Sequence, residues 1–348
     1  MISRVAESCF WLNRYVERVE VLSRMLGVNF AFQLDIELAA TERWRPLVIV
    51  AGQEEDFLKR VEAPQADDGE RVQEYLTWNE ENPSSVYSSL RAARENARTI
   101  RETISLEMWE TLNDLWVWLR SKDAHKLYER NRTTFYSRLR DQCLLFHGIA
   151  QATMLHEAPF EFMRLGTALE RAGQTARVLD VRHHAVGPVD AAEEPPEAIA
   201  QWLTILRFCS GVEPFLKRRT AAPSGAAVAE FLLFDPAFAR SVLHNLDRVG
   251  NFLELVSTGG TADTGRASRT LLAETRGQLA SMSIETVLAE GLHETLTWIV
   301  ETTAELSRAI HRDFFDPIVV RGSSQTQTQT QTQTQAQSSS QGQGQSSA

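Results

Sequence analysis

An internal repeat without gaps is the sequence feature that most constrains the fold of this chain. The segment YVERVEVLSRMLGV near the amino terminus returns as ALERAGQTARVLDV in the middle of the chain, without insertion or deletion. Glu17 corresponds to Glu170 and Arg18 to Arg171, each pair separated by 153 positions. A repeat of this kind predicts two related helical units, which must pack on each other or on shared partners to bury their apolar faces.

Ionisable residues share one side of the first copy when it is drawn as an α-helix with 100° per residue. This charged stripe consists of Arg14, Glu17, Glu20 and Arg24. Apolar residues fill the opposite side and also flank the charges, a pattern typical of a buried helix rather than a surface helix with one wet face.

Buried carboxylates and guanidinium groups persist only when they are paired and hydrogen-bonded. Two interpretations therefore stay open: ion pairs that fix the register of the helices, or a cavity in which arginines bind a carboxylate or phosphate. No catalytic residue is assigned. The candidate ligand-binding residues are Arg14, Glu17, Arg18, Glu20, Arg24, Arg94, Glu95, Glu170, Arg171 and Arg177.

Arg94, the neighbour of Glu95, belongs to a second and weaker repeat. Arg18, Arg94, Arg171 and Arg248 follow one another at intervals of 76, 77 and 77 residues. The intervals suggest that each half is itself doubled, although chance alignment within arginine-rich helices explains them equally well.

The hydrophobic pattern predicts an all-α helical bundle or array built from two related halves. No segment shows sustained alternation of period two, as a half-buried strand would. We place the first half at residues 1–157 and the second at 158–321. Residues 322–348, rich in Gln, Thr and Ser, carry no charge and bury too little apolar surface to offset the entropy of ordering, so we expect a disordered tail.

Helix boundaries follow from caps and breakers. The pattern predicts a long helix from Ser3 to about Ala40 and another from Gly69 to Trp78. Asn82, Pro83 and Ser84 mark a helix start, and the next long helix runs from about Asp123 to His156. Pro159 opens the helix that holds the second copy.

Charge and hydropathy exclude several partners. The chain has 46 acidic and 36 basic residues, a formal charge of −10, which argues against a general nucleic-acid or anionic-membrane surface. No segment approaches the roughly 20 apolar residues needed to cross a bilayer. Arg4, Glu7 and Arg14 precede any long apolar run, so no secretory signal is expected and the predicted location is cytoplasmic.

Motifs for cofactor and nucleophile chemistry are weak. The sequence contains neither a GxxxxGK[ST] loop nor a strand followed by GxGxxG, and no cofactor is expected. Cys143 and His147 lie four residues apart on a predicted helix, the one arrangement suited to a thiolate nucleophile. A buried, unreactive cysteine is the more common explanation of such a residue.

No metal site is predicted. The best candidates are His156, Glu157 and Glu161, which a solvated helix face explains more simply. His183 and His184 are adjacent, so their side chains point in different directions on a helix.

Four segments resemble the bacterial alpha-E domain family, a domain of unknown function. They are SRVAESCFWLNRYVERVE, ARENARTIRETISLEMWETLND, FMRLGTALERAGQTARVLDVRHH and FLLFDPAFARSVLHNLDRV, which together span the chain to about Asp316. The resemblance places the acidic-basic motif of the family on Glu17, Arg18, Arg94, Glu95, Glu170 and Arg171. The chain departs from the family pattern at Thr167, where relatives often have Arg, and at Asp247, where a basic residue is common.

The resemblance implies an all-α protein encoded beside a circularly permuted ATP-grasp protein, often with a transglutaminase-like peptidase, in a system proposed to form and process amide or peptide bonds. Our hypothesis is an accessory helical component that binds the ligase, its peptide product, or both through the Glu/Arg cluster. The alternatives are an enzyme acting on a peptide or amino-acid substrate through that cluster, and a purely structural oligomerisation module.

Overall fold

The computed structural model describes residues 3–32, 44–62, 65–186, 196–219, 223–258 and 264–316. Residues 1–316 form one compact unit. Its described part contains α-helices and one short π-helical turn and no β-strand, so the predicted all-helical fold is confirmed. The tail predicted to be disordered, residues 322–348, lies outside the described residues.

The helices fall into two consecutive groups. The first comprises α1 (Ser3–Phe32), α2 (Arg45–Val50), α3 (Glu54–Leu58), α4 (Gly69–Thr77), α5 (Val86–Thr99), α6 (Leu106–Leu119), α7 (Lys122–Arg130) and α8 (Arg132–Thr153). The second comprises α9 (Ala158–Val186), α10 (Pro196–Phe208), α11 (Val212–Arg218), α12 (Gly225–Phe234), α13 (Val242–Ser257), α14 (Arg266–Ser281), α15 (Ile284–Glu290), α16 (Leu292–Ile310) and a π-helical turn (His311–Phe315).

The two helices that carry the internal repeat, α1 and α9, lie at the centre and pack on each other. Leu12 and Leu26 on the apolar side of α1 are fully buried, and Phe10 and Val21 beside its charges are buried as well. The central position explains this burial, because neighbouring helices cover α1 on several sides. The prediction of a helix buried around its circumference is confirmed.

The packing partners of the two central helices correspond in order. Helix α1 packs against α5 and α8, whereas α9 packs against α13 and α16. In both groups two helices lie between these partners in the sequence, α6 and α7 in the first and α14 and α15 in the second. The correspondence agrees with a duplication; the duplication itself and the boundary at residues 157 and 158 stay predictions.

Short polar side chains cap the first turn of many of the described helices. The Ser85 hydroxyl accepts a hydrogen bond from the backbone N–H of Ser88 at the start of α5, three residues later than the first residue of the predicted helix start. Such caps satisfy backbone N–H groups that have no partner within the first turn. The same arrangement recurs at Ser105, Ser121, Asn131, Ser224, Ser241 and Ser283.

One cap corrects a boundary prediction. The single helix expected from Asp123 to His156 is two helices, because Asn131 leaves the helical conformation with φ −154° and ψ 84°. Its side chain accepts from the backbone N–H of Thr134 and thereby caps the second of them. The Gly69–Thr77 helix and the helix around Pro159 are confirmed. The part of the first helix predicted beyond Phe32 lies outside the described residues.

Length and hydropathy of the helices also bear on membrane association. None of those in the described residues combines the length and apolar character that crossing a bilayer requires.

Candidate functional site

Helices α1 and α9 run parallel to each other where they pack together. Gly166 of α9 lies so close to α1 that a Cβ atom there would be 2.3 Å from the Phe10 carbonyl oxygen. Further along, the Asn13 amide donates to the Thr167 hydroxyl at 3.2 Å. Contact positions therefore ascend together along both helices, which brings the two copies of the Glu–Arg motif side by side.

The two motifs exchange partners across this crossing. Arg171 donates from Nε and Nη2 to the two carboxylate oxygens of Glu17, both at 2.7 Å. In the reverse sense, Arg18 donates from Nε and Nη2 to Glu170 at 2.8 and 3.2 Å. Bidentate pairs of this kind are the strongest arginine–carboxylate contacts. The Glu–Arg dipeptide therefore joins the central helices, each arginine pairing with the other helix rather than with its own.

The Glu170 cluster, defined as Arg14, Arg18, Glu170 and Gln174, occupies one side of the crossing. Arg14 Nε donates to Glu170 at 2.8 Å, and the Gln174 amide donates to the same carboxylate at 3.0 Å. The side chain of Glu170 is only 3% exposed. All of these contacts converge on one buried carboxylate.

The Glu17 cluster, defined as Glu17, Glu20, Arg24, Arg171 and Arg240, occupies the other side. Arg240 lies just before α13 and donates to Glu17 at 3.2 Å and to Glu20 at 2.9 Å. Arg24 pairs with Glu20 one turn earlier on α1. Both carboxylates are fully buried. This cluster has two carboxylates for three arginines and ties α1, α9 and the segment before α13 together.

Two departures from the repeat make the clusters different. Thr167 stands where the first copy has Arg14, and Gly173 stands where it has Glu20. The equivalent of Arg24 is Arg177, which therefore has no carboxylate one turn before it. Among the described residues no carboxylate lies within ion-pair distance of Arg177, and its Nη1 donates to the backbone carbonyl of Val50 at 2.8 Å.

Burial and charge set the protonation of both clusters. Burial by itself would raise the pKa of Glu17, but Arg171 and Arg240 outweigh it and lower the pKa to about 2. Burial likewise opposes ionisation of Glu170, whose pKa is held well below its usual range by Arg18 and Arg14. Both glutamates are thus carboxylates at neutral pH.

A cavity of about 160 Å³ adjoins the Glu170 cluster. Its polar lining contains three arginines and one carboxylate, which leaves two positive charges in excess. Burial lowers the pKa of Arg177, yet an arginine remains charged at neutral pH. The lining residues are Arg14, Arg18, Leu22, Met25, Leu47, Val50, Ala51, Ser84, Leu169, Glu170, Gly173, Gln174, Arg177, Val300, Thr303 and Ala304.

A second cavity, of about 350 Å³, lies on the Arg171 side of the crossing. Arg164, Arg171 and Arg248 line it, together with polar and aromatic side chains. Arg171 is already committed to Glu17, and Arg164 and Arg248 rest on the ring of Phe252. Neither Glu17 nor Glu170 lines this second cavity, whereas Glu170 lines the first.

Two of the predicted site residues lie apart from both clusters. Arg94 and Glu95 are neighbours on α5 that pair with each other, and Arg94 Nε donates to the Asn113 side chain at 3.0 Å. Glu95 also pairs with Arg98. These contacts are local, so the structure does not bring Arg94 and Glu95 to the helix crossing. The other eight predicted residues do lie there.

Sequence reasoning missed Arg240, which holds both carboxylates of the Glu17 cluster. No copy of the repeat contains it. The available signal is its setting, a lone arginine in the apolar segment AFARSVL within one of the four family-like segments. A charged residue in such a segment predicts a buried partner.

The weaker chemical candidates have structural explanations. Burial raises the pKa of the Cys143 thiol well above its usual value, which disfavours a thiolate nucleophile. His147 Nε2 instead lies 3.5 Å from Glu17. The ring of His156 stacks on Phe160, with the centroids 4.3 Å apart.

The described residues do contain one group with metal-ligand geometry, at Asp180, His184 and His293. Sequence analysis did not find it. The spacing of four residues between Asp180 and His184 was a signal, because it places both side chains on one face of α9. His293 comes from α16 and is far away in the sequence.

The sequence matches a known protein family. The Alpha-E family, described as a predicted alpha-helical domain with a conserved ER motif, matches residues 1–315. The two Glu–Arg dipeptides that join α1 and α9, at Glu17 and Glu170, have the residue types of such a motif. No solved structure matches the chain significantly.

Similar curated proteins have no described activity. Three of them, one from Mycobacterium bovis and two from strains of Mycobacterium tuberculosis, are called uncharacterized proteins and are each 25% identical over 342 residues. The alignments cover 92% of this chain and 37% of each relative, so the chain spans little more than a third of their length. Because the family match extends over nearly all of the described structure, the chain belongs to the Alpha-E family.

Proposed function

We propose that this protein is a non-catalytic helical binding component whose arginine-lined cavity takes the carboxylate of a peptide or amino-acid ligand. The single observation that carries the proposal is Arg177, a partly buried arginine without a carboxylate partner among the described residues, in a cavity that already contains Arg14 and Arg18. Planar guanidinium groups match a carboxylate in two-pronged hydrogen bonds.

The size and lining of the cavity favour a small acid or the end of a chain. About 160 Å³ is below the roughly 300–1,000 Å³ of pockets for drug-sized ligands. Apolar side chains such as Leu47, Val50 and Leu169 surround the arginines and reduce the local screening of charge. A carboxylate attached to a short apolar group fits both properties.

The charge state of the glutamates argues against the enzyme alternative. An efficient general base has a pKa near the working pH. Glu17 and Glu170 instead have strongly lowered pKa values because arginines hold their charged forms. In this proposal the two glutamates position the arginines and do not move protons.

The partner in the proposal comes from the family resemblance. We assign the protein to a system in which a circularly permuted ATP-grasp ligase forms amide or peptide bonds and a transglutaminase-like peptidase processes them. The cavity would then hold the carboxylate end of the peptide product. The mycobacterial relatives, in which the matched region is only part of a longer chain, agree with a domain that works beside other components.

Calorimetric titration with alanyl-alanine and with alanyl-alaninamide tests the ligand. The two probes share an ammonium group and differ in the carboxylate. We expect the acid to bind at least about tenfold more tightly, because a hydrogen bond to a charged group contributes about 1.5–3 kcal/mol. Arg177→Gln should remove this difference.

Arg94→Gln is the matched control, since Arg94 lies outside the cluster. Equal binding of acid and amide by the parent protein, or an effect of Arg94→Gln as large as that of Arg177→Gln, would contradict the proposal. Co-purification with the neighbouring ATP-grasp protein tests the partner separately. Repeated absence of contact would remove the ligase from the proposal and leave the ligand test unaffected.

A further inference from the structure

A histidine–aspartate–histidine group lies at the carboxyl-terminal part of α9. The Asp180 carboxylate stands between two imidazole rings, with His184 Nε2 3.0 Å from Oδ2 and His293 Nδ1 2.8 Å from Oδ1. His184 follows one turn later on the same helix, and His293 comes from the first turn of α16. We propose that Asp180, His184 and His293 bind a divalent transition-metal ion, and that Zn²⁺ fits this set of ligands.

The ligand types and distances support this assignment. Zinc bonds to imidazole nitrogen and carboxylate oxygen measure about 2.0–2.2 Å, so tetrahedral ligand atoms lie about 3.3 Å from one another. One ligand atom from each of the three residues can be chosen so that all lie within 4.8 Å of one another. Small rotations of the rings therefore place the three ligand atoms around one ion.

Hydrogen bonding among the three residues is the alternative to metal binding. In the ion-free arrangement each facing ring nitrogen can donate its N–H to the Asp180 carboxylate. A nitrogen that binds metal carries no proton, so metal binding replaces these hydrogen bonds and leaves the remaining N–H of each neutral ring on its other nitrogen. Asp180 then binds the ion through oxygen.

Neighbouring groups hold the ligands in place. The ring of His183 stacks on that of His293, with the centroids 4.1 Å apart and the planes 6° apart. Such support fixes the orientation of a ligand ring without coordinating the ion. The side chains of His184 and His293 are 22% and 32% exposed, which gives an ion access from solvent.

Three protein ligands leave a fourth coordination position. Closed structural zinc sites use four protein ligands, whereas sites that take water or another ligand use three. Asp180 lies three residues after Arg177, which amounts to about 4.5 Å along the axis of α9. A metal ion there would add positive charge beside the arginine-lined cavity, although the metal site stands on its own ligands and not on the proposed function.

Equilibrium dialysis of the untagged 348-residue chain against ZnCl₂, after removal of bound metal with EDTA, tests the site. We expect one equivalent of zinc to bind. His184→Gln and His293→Gln, which change ligands on different helices, should each weaken zinc binding by about 100-fold or more, whereas His183→Gln should weaken it by about tenfold. His125→Gln, at an exposed position of α7, is the matched control and should leave zinc binding unchanged.

Two further measurements keep the result decisive. Circular dichroism establishes that each variant is folded, and the absorption of the Co²⁺-substituted parent protein reports a tetrahedral site with nitrogen and oxygen ligands and no thiolate. Absence of stoichiometric zinc in the parent protein overturns the proposal, as does binding that both ligand variants retain. A thiolate band in the cobalt spectrum overturns it as well, because the three cysteines of the chain are buried elsewhere.

Discussion

The two sides of the α1–α9 crossing contain the same Glu–Arg motif but differ in the partners of its glutamate. On the Glu17 side, Arg171 and Arg240 flank a fully buried carboxylate, and Glu20 adds a second one for Arg24. On the Glu170 side, one carboxylate serves several arginines beside a cavity. The repeated ion-pair motif thus forms a structural lock, the Glu17 cluster, on one side, and on the other side borders a cavity whose lining has two positive charges in excess.

The difference comes from a few positions. Gly173 stands in place of Glu20, so a carboxylate is absent there, and Gly173 lines the cavity. Thr167 in place of Arg14 removes an arginine, and Arg240 supplies the missing charge to Glu17 from elsewhere in the chain. The comparison teaches that two similar segments form different charge clusters when a single position has a carboxylate in one segment and glycine in the other.

The largest expected effect is on stability, when either motif glutamate becomes neutral. Glu17→Gln and Glu170→Gln should each lower the free energy of unfolding by about 3–5 kcal/mol, because removing one partner leaves buried guanidinium groups uncompensated. Urea denaturation measures the loss. Phosphate should restore part of it in Glu170→Gln, where the cavity admits an anion, and none in Glu17→Gln.

An equal response of both variants to phosphate would show that the two sides do not differ in access. Arg91→Gln, whose partner Glu80 is exposed, is a suitable control for general effects of phosphate and of arginine loss. It should change the stability little, since exposed ion pairs contribute about 0–1 kcal/mol.

Acid should weaken the lock in a defined range. The pKa of Glu17 is lowered from 4.5 to about 2, so its contribution is fully present above pH 4.5 and is lost as the pH falls towards 2. Linkage gives up to about 3 kcal/mol for a shift of this size. Unfolding measured between pH 6 and 2 should show a smaller dependence in Glu17→Gln. An unchanged dependence would place the acid-sensitive groups elsewhere.

Gly173→Glu should convert the cavity side into a copy of the lock. The new carboxylate stands one turn before Arg177, as Glu20 stands before Arg24, and the added Cβ would lie 3.0 Å from the Thr303 hydroxyl, which must move by a few tenths of an ångström. Calorimetry should show alanyl-alanine binding at least about tenfold more weakly, corresponding to about 1.5 kcal/mol. Gly277→Glu is the control, since a Cβ there meets nothing within 4 Å. Undiminished binding in Gly173→Glu would place the ligand elsewhere.

Arg94→Gln should have the smallest effect. Arg94 pairs with its own neighbour Glu95 at the surface, so we expect a change in the free energy of unfolding of less than about 1 kcal/mol. Thermal denaturation beside Arg18→Gln measures the contrast. If Arg94→Gln lost as much stability as Arg18→Gln, the ion pairs on α5 would matter as much as those at the α1–α9 crossing, contrary to our comparison.

Sequence reasoning reached the helical fold and most of the cluster. The repeat and the apolar setting of its charges predicted that Glu17, Arg18, Glu170 and Arg171 are buried and paired, and the structure confirms the burial of both glutamates. Asn131 was misjudged, because a single capping residue inside a long apolar pattern does not change the periodicity. Spacing and the family motif both group Arg94 and Glu95 with the cluster, but neither reports which helix face meets which neighbour.

The order of residues by itself determined that α1 and α9 are buried helices with charges that need partners, because local periodicity and desolvation cost are properties of a segment. Only the tertiary structure decided which residues pair with these charges. Arg240 reaches Glu17 and Glu20 across more than two hundred residues, and His293 reaches Asp180 across more than a hundred. Such contacts depend on how helices cross, and that is fixed by packing of the whole core rather than by any one segment.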